Sequence, residues 1–220
     1  MASKAHRVTK GLVGGFALLA GAVLTLSGCL SPQFTYVANS GDDTYFKVPY
    51  TWHKISDTSL NNELKSANSA GGGWTIAYEA GYKPTATDFL AFKTTQPFIF
   101  AEVGQLNSTS AGQMSDDSLR DFFFPTTQAG RQNAQQQGFP LTGFRKLRDQ
   151  TLTLKQGVHG VRETFDYTYT GTADTFDVVA LTNAKQTFVY LLVAHCTTSC
   201  YSKEQTQIND VMSSFTIRSS

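Results

Sequence analysis

The sequence predicts an α+β domain built on an antiparallel sheet of about six strands, with helices on both faces. Three observations predict it. From Phe144 to His195, four strand-like runs follow one another through short connections, as antiparallel neighbours do. Within them, Thr187 to Ala194 is apolar on both faces, so it reads as a central strand covered on both sides. Helical patterns precede and follow this block and supply the covering layers.

The chain opens on Lys4, Arg7 and Lys10 with no acid among them, then runs uncharged and largely apolar from Gly11 to Leu26. A bilayer-spanning helix needs about 20 apolar residues. This run is shorter and holds several glycines, so it reads as the apolar part of a signal peptide. The residues that follow, Leu26-Ser27-Gly28-Cys29, resemble the bacterial lipobox. The resemblance implies cleavage between Gly28 and Cys29 and a diacylglycerol on the Cys29 sulfur. The expected division is therefore a lipoprotein signal peptide over 1–28, a lipidated N-terminus and tether over 29–43, and a single domain over 44–220. Within the tether Phe34, Tyr36 and Ala38 alternate as one short strand would. Fully extended, Leu30 to Asp43 reaches about 45 Å, which keeps the domain near the membrane.

Cleavage changes the charge. Lys plus Arg falls from 18 to 15 while Asp plus Glu stays at 17, so the net charge passes from +1 to −2. That balance gives no electrostatic ground for a nucleic-acid partner.

Tyr45 to Val48 makes a short strand stopped by Pro49, with Trp52 just beyond. Residues 57–73 are polar, end in Gly71-Gly72-Gly73, and read as a flexible loop. Trp74 to Tyr78 and Phe98 to Val103 are the next strands. Ser115 can cap a helix whose first turn carries Asp116 and Asp117 and whose apolar face carries Leu119, Phe122 and Phe123. Pro125 interrupts it. Thr126 or Thr127 restarts a helix through Gln-rich residues to Gly138, a C-terminal cap. That piece has almost no apolar stripe and is expected to be exposed.

The four-strand block comprises Phe144–Leu154, Val158–Tyr169, Phe176–Leu181 and Gln186–His195. In the second, Val161, Phe165, Tyr167 and Tyr169 alternate with Arg162, Thr164, Asp166 and Thr168, one buried face against one wetter. Thr170 to Asp174 suits a hairpin connection. Ser202 and Gln205 fit a capping box, and Ile208, Val211, Met212 and Phe215 form the apolar face of a last helix over 203–214.

With Cys29 assigned to lipid, Cys196 and Cys200 remain as an even pair in an exported chain, and they read as a local disulfide. The rival reading is a metal site that includes His195, although two thiols and one imidazole fall short of a closed tetrahedral set.

The opening Tyr45-Phe46-Lys47-Val48-Pro49-Tyr50-Thr51-Trp52 and the closing Ile208-Asn209-Asp210-Val211-Met212-Ser213-Ser214-Phe215 resemble landmarks of the PsbP-like superfamily, in particular its actinobacterial Lpq-type lipoproteins. The resemblance implies an α-β-α sandwich around an antiparallel sheet. It also implies adaptor or assembly roles more often than catalysis, and supplies no catalytic residues.

No G-x-S-x-G, H-E-x-x-H, P-loop, G-x-G-x-x-G or EF-hand pattern occurs. The histidines after Cys29 are His53, His159 and His195, and none sits in a nucleophile or metal motif. Glu102 and Glu163 are carboxylates in apolar strand contexts, where a buried pair could do acid–base work; the alternative is an edge position or a partner such as Arg145 or Arg162. Arg145-Lys146-Leu147-Arg148 is the densest basic cluster, open to anionic headgroups or to service as a solvated strand edge. No cofactor, metal or catalytic residue is expected. The sequence thus points to a non-catalytic envelope adaptor or assembly factor. Acylated Cys29 would hold it on the extracytoplasmic face of the cell membrane, where it binds another envelope protein. A carrier or sensor of a small apolar or lipid ligand is the alternative, and a hydrolase without a recognisable motif is the third class.

Overall fold

The computed structural model describes residues 33–66, 73–92, 95–169 and 171–218. The predicted signal peptide, Cys29, Gly71 and Gly72 lie outside them. Pro32–Ser220 forms one compact unit that holds both hydrophobic cores.

In chain order the strands are β1 (Phe34–Asn39), β2 (Thr44–Pro49), β3 (His53–Lys54), β4 (Trp74–Glu79), β5 (Phe98–Gln105), β6 (Leu141–Thr153), β7 (His159–Tyr169), β8 (Thr172–Thr182), β9 (Phe188–Thr197) and β10 (Thr216–Ile217). The helices are α1 (Asp57–Ser66), α2 (Ala86–Leu90), α3 (Asp116–Arg120), α4 (Gln128–Gln136) and α5 (Thr198–Met212). Seven strands form the main sheet in the order β3-β4-β5-β9-β8-β7-β6, with every neighbouring pair antiparallel. A second sheet, β1-β2-β10, packs on one of its faces.

β9 is the central strand that its two-sided apolar pattern predicts: residues 189 to 196 are all buried. Its even positions, Tyr190, Leu192 and Ala194, join one core with Phe46, Val48, Ile208 and Val211. Its odd positions, Val189, Leu191 and Val193, join another with Leu60, Leu64, Phe89 and Leu119. The main sheet therefore has α1, α2 and α3 on one face, and α5 with the small sheet on the other. The alternation on β7 holds, but its wetter face is also covered. Thr164 and Asp166 are buried there, and Arg162 reaches back to Asp177.

Gly160 shows why β7 begins so close to β8. A Cβ at that position would overlap the Ala180 carbonyl, so the approach requires glycine.

Several expectations are corrected. The strand expected within the tether pairs with β2 at all six of its residues, from Phe34↔Pro49 to Asn39↔Thr44, so the folded unit starts at Phe34 rather than at 44. The loop expected over 57–73 contains α1. Leu60 and Leu64, four apart, share one face and bury it, which outweighs the polar composition of the segment. α3 stops at Arg120, short of Phe122, which is 40% exposed. The turn into Pro125 disfavours further helix there. The last helix starts at Thr198 rather than 203. Its cap is Thr197, whose hydroxyl accepts from Cys200 N at 3.3 Å, so Ser202 lies inside the helix. The sheet has seven strands because two-residue β3 adds an edge too short for periodicity to reveal. α2 was likewise unread; it is five residues long and is capped by Thr85.

Phe215 lies just past α5, 9% exposed, with its ring edge-on to Phe46 at 6.4 Å. Phe215→Ala is expected to cost about 3 kcal/mol in urea unfolding. A loss under about 0.5 kcal/mol would show that the end of α5 is peripheral to the core.

Candidate functional site

The titratable candidates occupy separate places. Glu102 on β5 and Glu163 on β7 are separated by β9 and β8, about 14 Å across the sheet, so they form no dyad. Burial raises the Glu102 carboxyl above its usual range. Glu163 is 2% exposed and accepts from Thr126 Oγ1 at 2.7 Å, with Lys146 Nζ at 3.3 Å. Burial raises its carboxyl too, opposed by the Thr126 hydroxyl and the Lys146 ammonium. Neither carboxylate has a histidine partner among the described residues. His53 is exposed and lies edge-on to Tyr82, and His159 Nδ1 meets Gly157 O at 3.0 Å.

His195 is different. It is fully buried beneath the rings of Phe92, Phe98 and Phe176, whose centroids lie 5.1, 4.6 and 4.4 Å away. Its Nε2 stands 3.4 Å from Asp174 Oδ1, and Asp174 is equally buried. The alignment falls short of a hydrogen bond. Burial lowers the imidazole below its ordinary value, and Asp174 partly opposes the shift. The three rings close the pair off from any diffusing substrate.

On the opposite face, Asp177 sits fully buried on β8 and receives a bidentate pair of bonds from Arg162 at 2.9 and 2.7 Å. Tyr201 of α5 donates to the same carboxylate at 2.8 Å, and Arg162 reaches Asn209 at 2.7 Å. This network ties α5 to the sheet. Sequence reasoning missed both buried acids. The available signal was an Asp inside the apolar run of β8.

Cys196 lies near the end of β9 and Cys200 in the first turn of α5; a disulfide joins them with Cα atoms 5.9 Å apart. The metal alternative has no support from this arrangement. Among the described residues, no group of three or more His, Cys, Asp or Glu could hold a metal ion.

The basic cluster on β6 is largely paired. Arg145 binds Asp166 through Nε and Nη2 at 2.9 and 2.5 Å, and Lys146 binds Asp149 at 2.7 Å. What β6 leaves open is its backbone. Among the described residues β7 is its one strand neighbour, so the other edge of thirteen residues is unpaired. Register shifts between Thr142 and Arg145 and between Lys146 and Arg148 bend this edge, which blunts indiscriminate pairing.

Beside β6 lies a groove of about 360 Å³, lined by Pro125, Arg131, Phe139, Phe144 and Tyr167. α4 forms its far wall. Thr127 caps the helix at Gly130 N, 3.0 Å, while Asp121 Oδ1 takes the amides of Thr126 and Thr127 at 2.7 and 2.9 Å. No residue of α4 is buried, as its missing apolar stripe predicts, and Gly138 follows it at φ +73°. The Arg131 guanidinium lies over the Phe144 ring at 4.2 Å and donates to Thr126 O. Tyr167 donates to Pro125 O, and burial pushes its phenol up to about 12. Phe139 remains 48% exposed. An aromatic floor, a guanidinium and a bare strand edge suit an extended peptide segment.

Solved structures are similar to this chain. Cyanobacterial PsbP (CyanoP) from Synechocystis sp. PCC 6803 superposes with a TM-score of 0.51 at 8% identity, over 89% of this chain and 99% of its own. The fold is PsbP-like. LpqN of Mycobacterium tuberculosis, described as involved in cell envelope biogenesis, aligns over 85% of this chain and 91% of its own, at 17% identity and a TM-score of 0.49. The Saccharomyces cerevisiae Ran-binding protein Mog1p aligns over 85% and 96%, at 9% identity and a TM-score of 0.46. No family model matches the chain, and no curated protein resembles it in sequence. At these identities the likeness speaks for the PsbP-like fold alone. It agrees with the sandwich implied by the landmarks at 45–52 and 208–215.

Proposed function

We propose that this protein is a lipoprotein, anchored through Cys29, whose PsbP-like domain is a non-catalytic adaptor for another envelope protein. One observation carries the adaptor reading: the unpaired edge of β6 runs beside the aromatic groove under α4. A partner segment entered as an added strand gains main-chain bonds from the edge and side-chain pockets from the groove. The titratable candidates supply no rival centre among the described residues: Glu102 and Glu163 stand on separate strands, Asp174 and His195 are sealed, and His53 and His159 pair with neither carboxylate. The lipid anchor rests on Leu26-Ser27-Gly28-Cys29, and it would raise the domain's effective concentration toward membrane partners.

Two comparisons test the proposal. Cys29→Ser should abolish the lipid mass shift and release the chain from the membrane fraction; a Cys29→Ser chain that keeps both refutes the anchor. Partner capture from detergent-solubilised membranes should fall at least about 10-fold with Phe139→Asp or Leu147→Asp, as expected for loss of an apolar contact at a binding surface. It should survive Glu102→Gln, Glu163→Gln, His53→Gln, His159→Gln and His195→Gln. If one of those five abolishes a measurable turnover while folding and capture persist, the adaptor reading fails.

A further inference from the structure

The small sheet has an outward face that the cores do not use. In the β1–β2 register, Val37↔Phe46 turns inward, and both residues are buried. Phe34↔Pro49, Tyr36↔Lys47 and Ala38↔Tyr45 turn the other way, and Tyr45 continues the outward row to Thr216 of β10. Three rings therefore share one surface. Tyr36 is 80% exposed. Each of the other two carries a cation: Lys47 Nζ lies 3.9 Å from the Phe34 centroid, and Arg218 Cζ lies 4.8 Å from that of Tyr45.

We infer that this face seats the domain on the lipid headgroups of the membrane. The inference rests on the anchor proposed above. The occupant is indicated by where the chain enters the sheet. β1 begins at Phe34, five residues after Cys29, a reach of about 17 Å at full extension. A leash of that reach lets the face lie against the interfacial region, which extends about 5–8 Å beyond each side of the hydrocarbon core. Aromatic rings favour that region because they offer an apolar body and a polar tip, and Lys and Arg stems lie along them with their charges in the headgroups. The acids Glu204 and Asp210 of α5 lie with Lys203 at the Phe34 side of the sheet, and Asp42 and Asp43 occupy the β1–β2 turn at the far end from the anchor. The seat is thus carried by rings more than by net charge. The paired cations of β6 are not needed for it.

A single thiol label reads the seat directly. Tyr36→Cys in the full chain, labelled with a polarity-sensitive dye and held in vesicles of equal phosphatidylglycerol and phosphatidylcholine, should report an apolar surrounding and be quenched by bromine-labelled lipid. The same dye at Thr142→Cys on β6 should stay aqueous. An aqueous signal at both positions on lipidated protein overturns the inference. So does an apolar signal at 36 that persists without vesicles and grows with protein concentration, since that marks a second copy on the face. If mass analysis shows no lipid on Cys29, the anchor reading fails. The face is then decided alone by co-sedimentation of the chain from residue 29 carrying Cys29→Ser. Binding that drops at least about 10-fold with Phe34→Ser, Tyr36→Ser and Lys47→Glu together keeps the face, and binding that does not overturns it.

Discussion

Replacing Asp177 with Ala is expected to remove about 3–5 kcal/mol of stability, a large share of what holds a marginal domain folded. The carboxylate is fully buried and accepts from three donors, two on Arg162 and one on Tyr201. Without it the guanidinium, whose side chain is 11% exposed, keeps a desolvated charge with only the neutral acceptors Asn209 at 2.7 Å and Ser213 at 3.4 Å among the described residues. The Tyr201 hydroxyl loses its acceptor as well. Much of the loss is therefore the cost of the groups left behind rather than the worth of the pair. This yields a sharper expectation. Replacing both members, as Arg162→Met with Asp177→Leu, should restore most of the stability lost in Asp177→Ala, because no charge is then stranded. Urea unfolding of Arg162→Met, Asp177→Leu and the double variant measures the coupling. A single Asp177→Ala cost below about 1 kcal/mol would mean that water reaches the network, and that α5 is held by its apolar face alone.

Phe176→Ala should be as damaging, at about 3–5 kcal/mol, for a different reason. This fully buried ring on β8 contacts Phe92, Phe124, Phe165 and His195, so truncation opens a cavity in the middle of an aromatic layer. It also has a pH signature. In the folded protein burial holds His195 below its ordinary value near 6.5, whereas the unfolded chain titrates normally. As the pH falls below about 6.5 the unfolded state takes up the proton first, so stability is lost on acidification; it is fully present above that range. His195→Phe should flatten this part of the pH dependence. Phe176→Ala should narrow it, since water admitted to the cavity lets the imidazole rise toward its ordinary value. Urea midpoints at pH 7.5 and pH 5.5 for the three proteins check the sign. A parallel fall in all three would assign the acid sensitivity to other groups.

The sheet was legible where burial repeats with a clear period. β5, β7 and β9 announce themselves through runs such as Phe98-Ile99-Phe100 and Leu191-Leu192-Val193, and α5 through Ile208, Val211 and Met212 at helical spacing. The boundaries were less legible, because Thr197 and Ser202 are both competent caps, and the sheet rather than the local chemistry selects Thr197. α1 was hidden by composition: two leucines in a polar stretch suffice when a sheet is there to receive them. The groove was half legible. The bare surface of α4 follows from its missing stripe, but the convergence of Phe139, Phe144 and Tyr167 depends on how β6 lies beside β7. The Asp174–His195 contact needs the register of β8 on β9, which no local pattern contains.

The pairing of β1 with β2 also has a mechanical meaning. If the chain is held to the envelope at its lipid end, every pull on a captured partner enters the domain at Phe34. The first rungs to bear the load are Phe34↔Pro49 and Thr35↔Val48, and the rest of β1 follows in order. β2 is braced in turn by β10 and by Ser214, whose hydroxyl accepts from Lys47 N at 3.0 Å. Tension would peel six rungs of a small outer ribbon before it reached the central strands. The ribbon would yield first, and the open edge of β6 at the far end of the main sheet would keep its shape while it did.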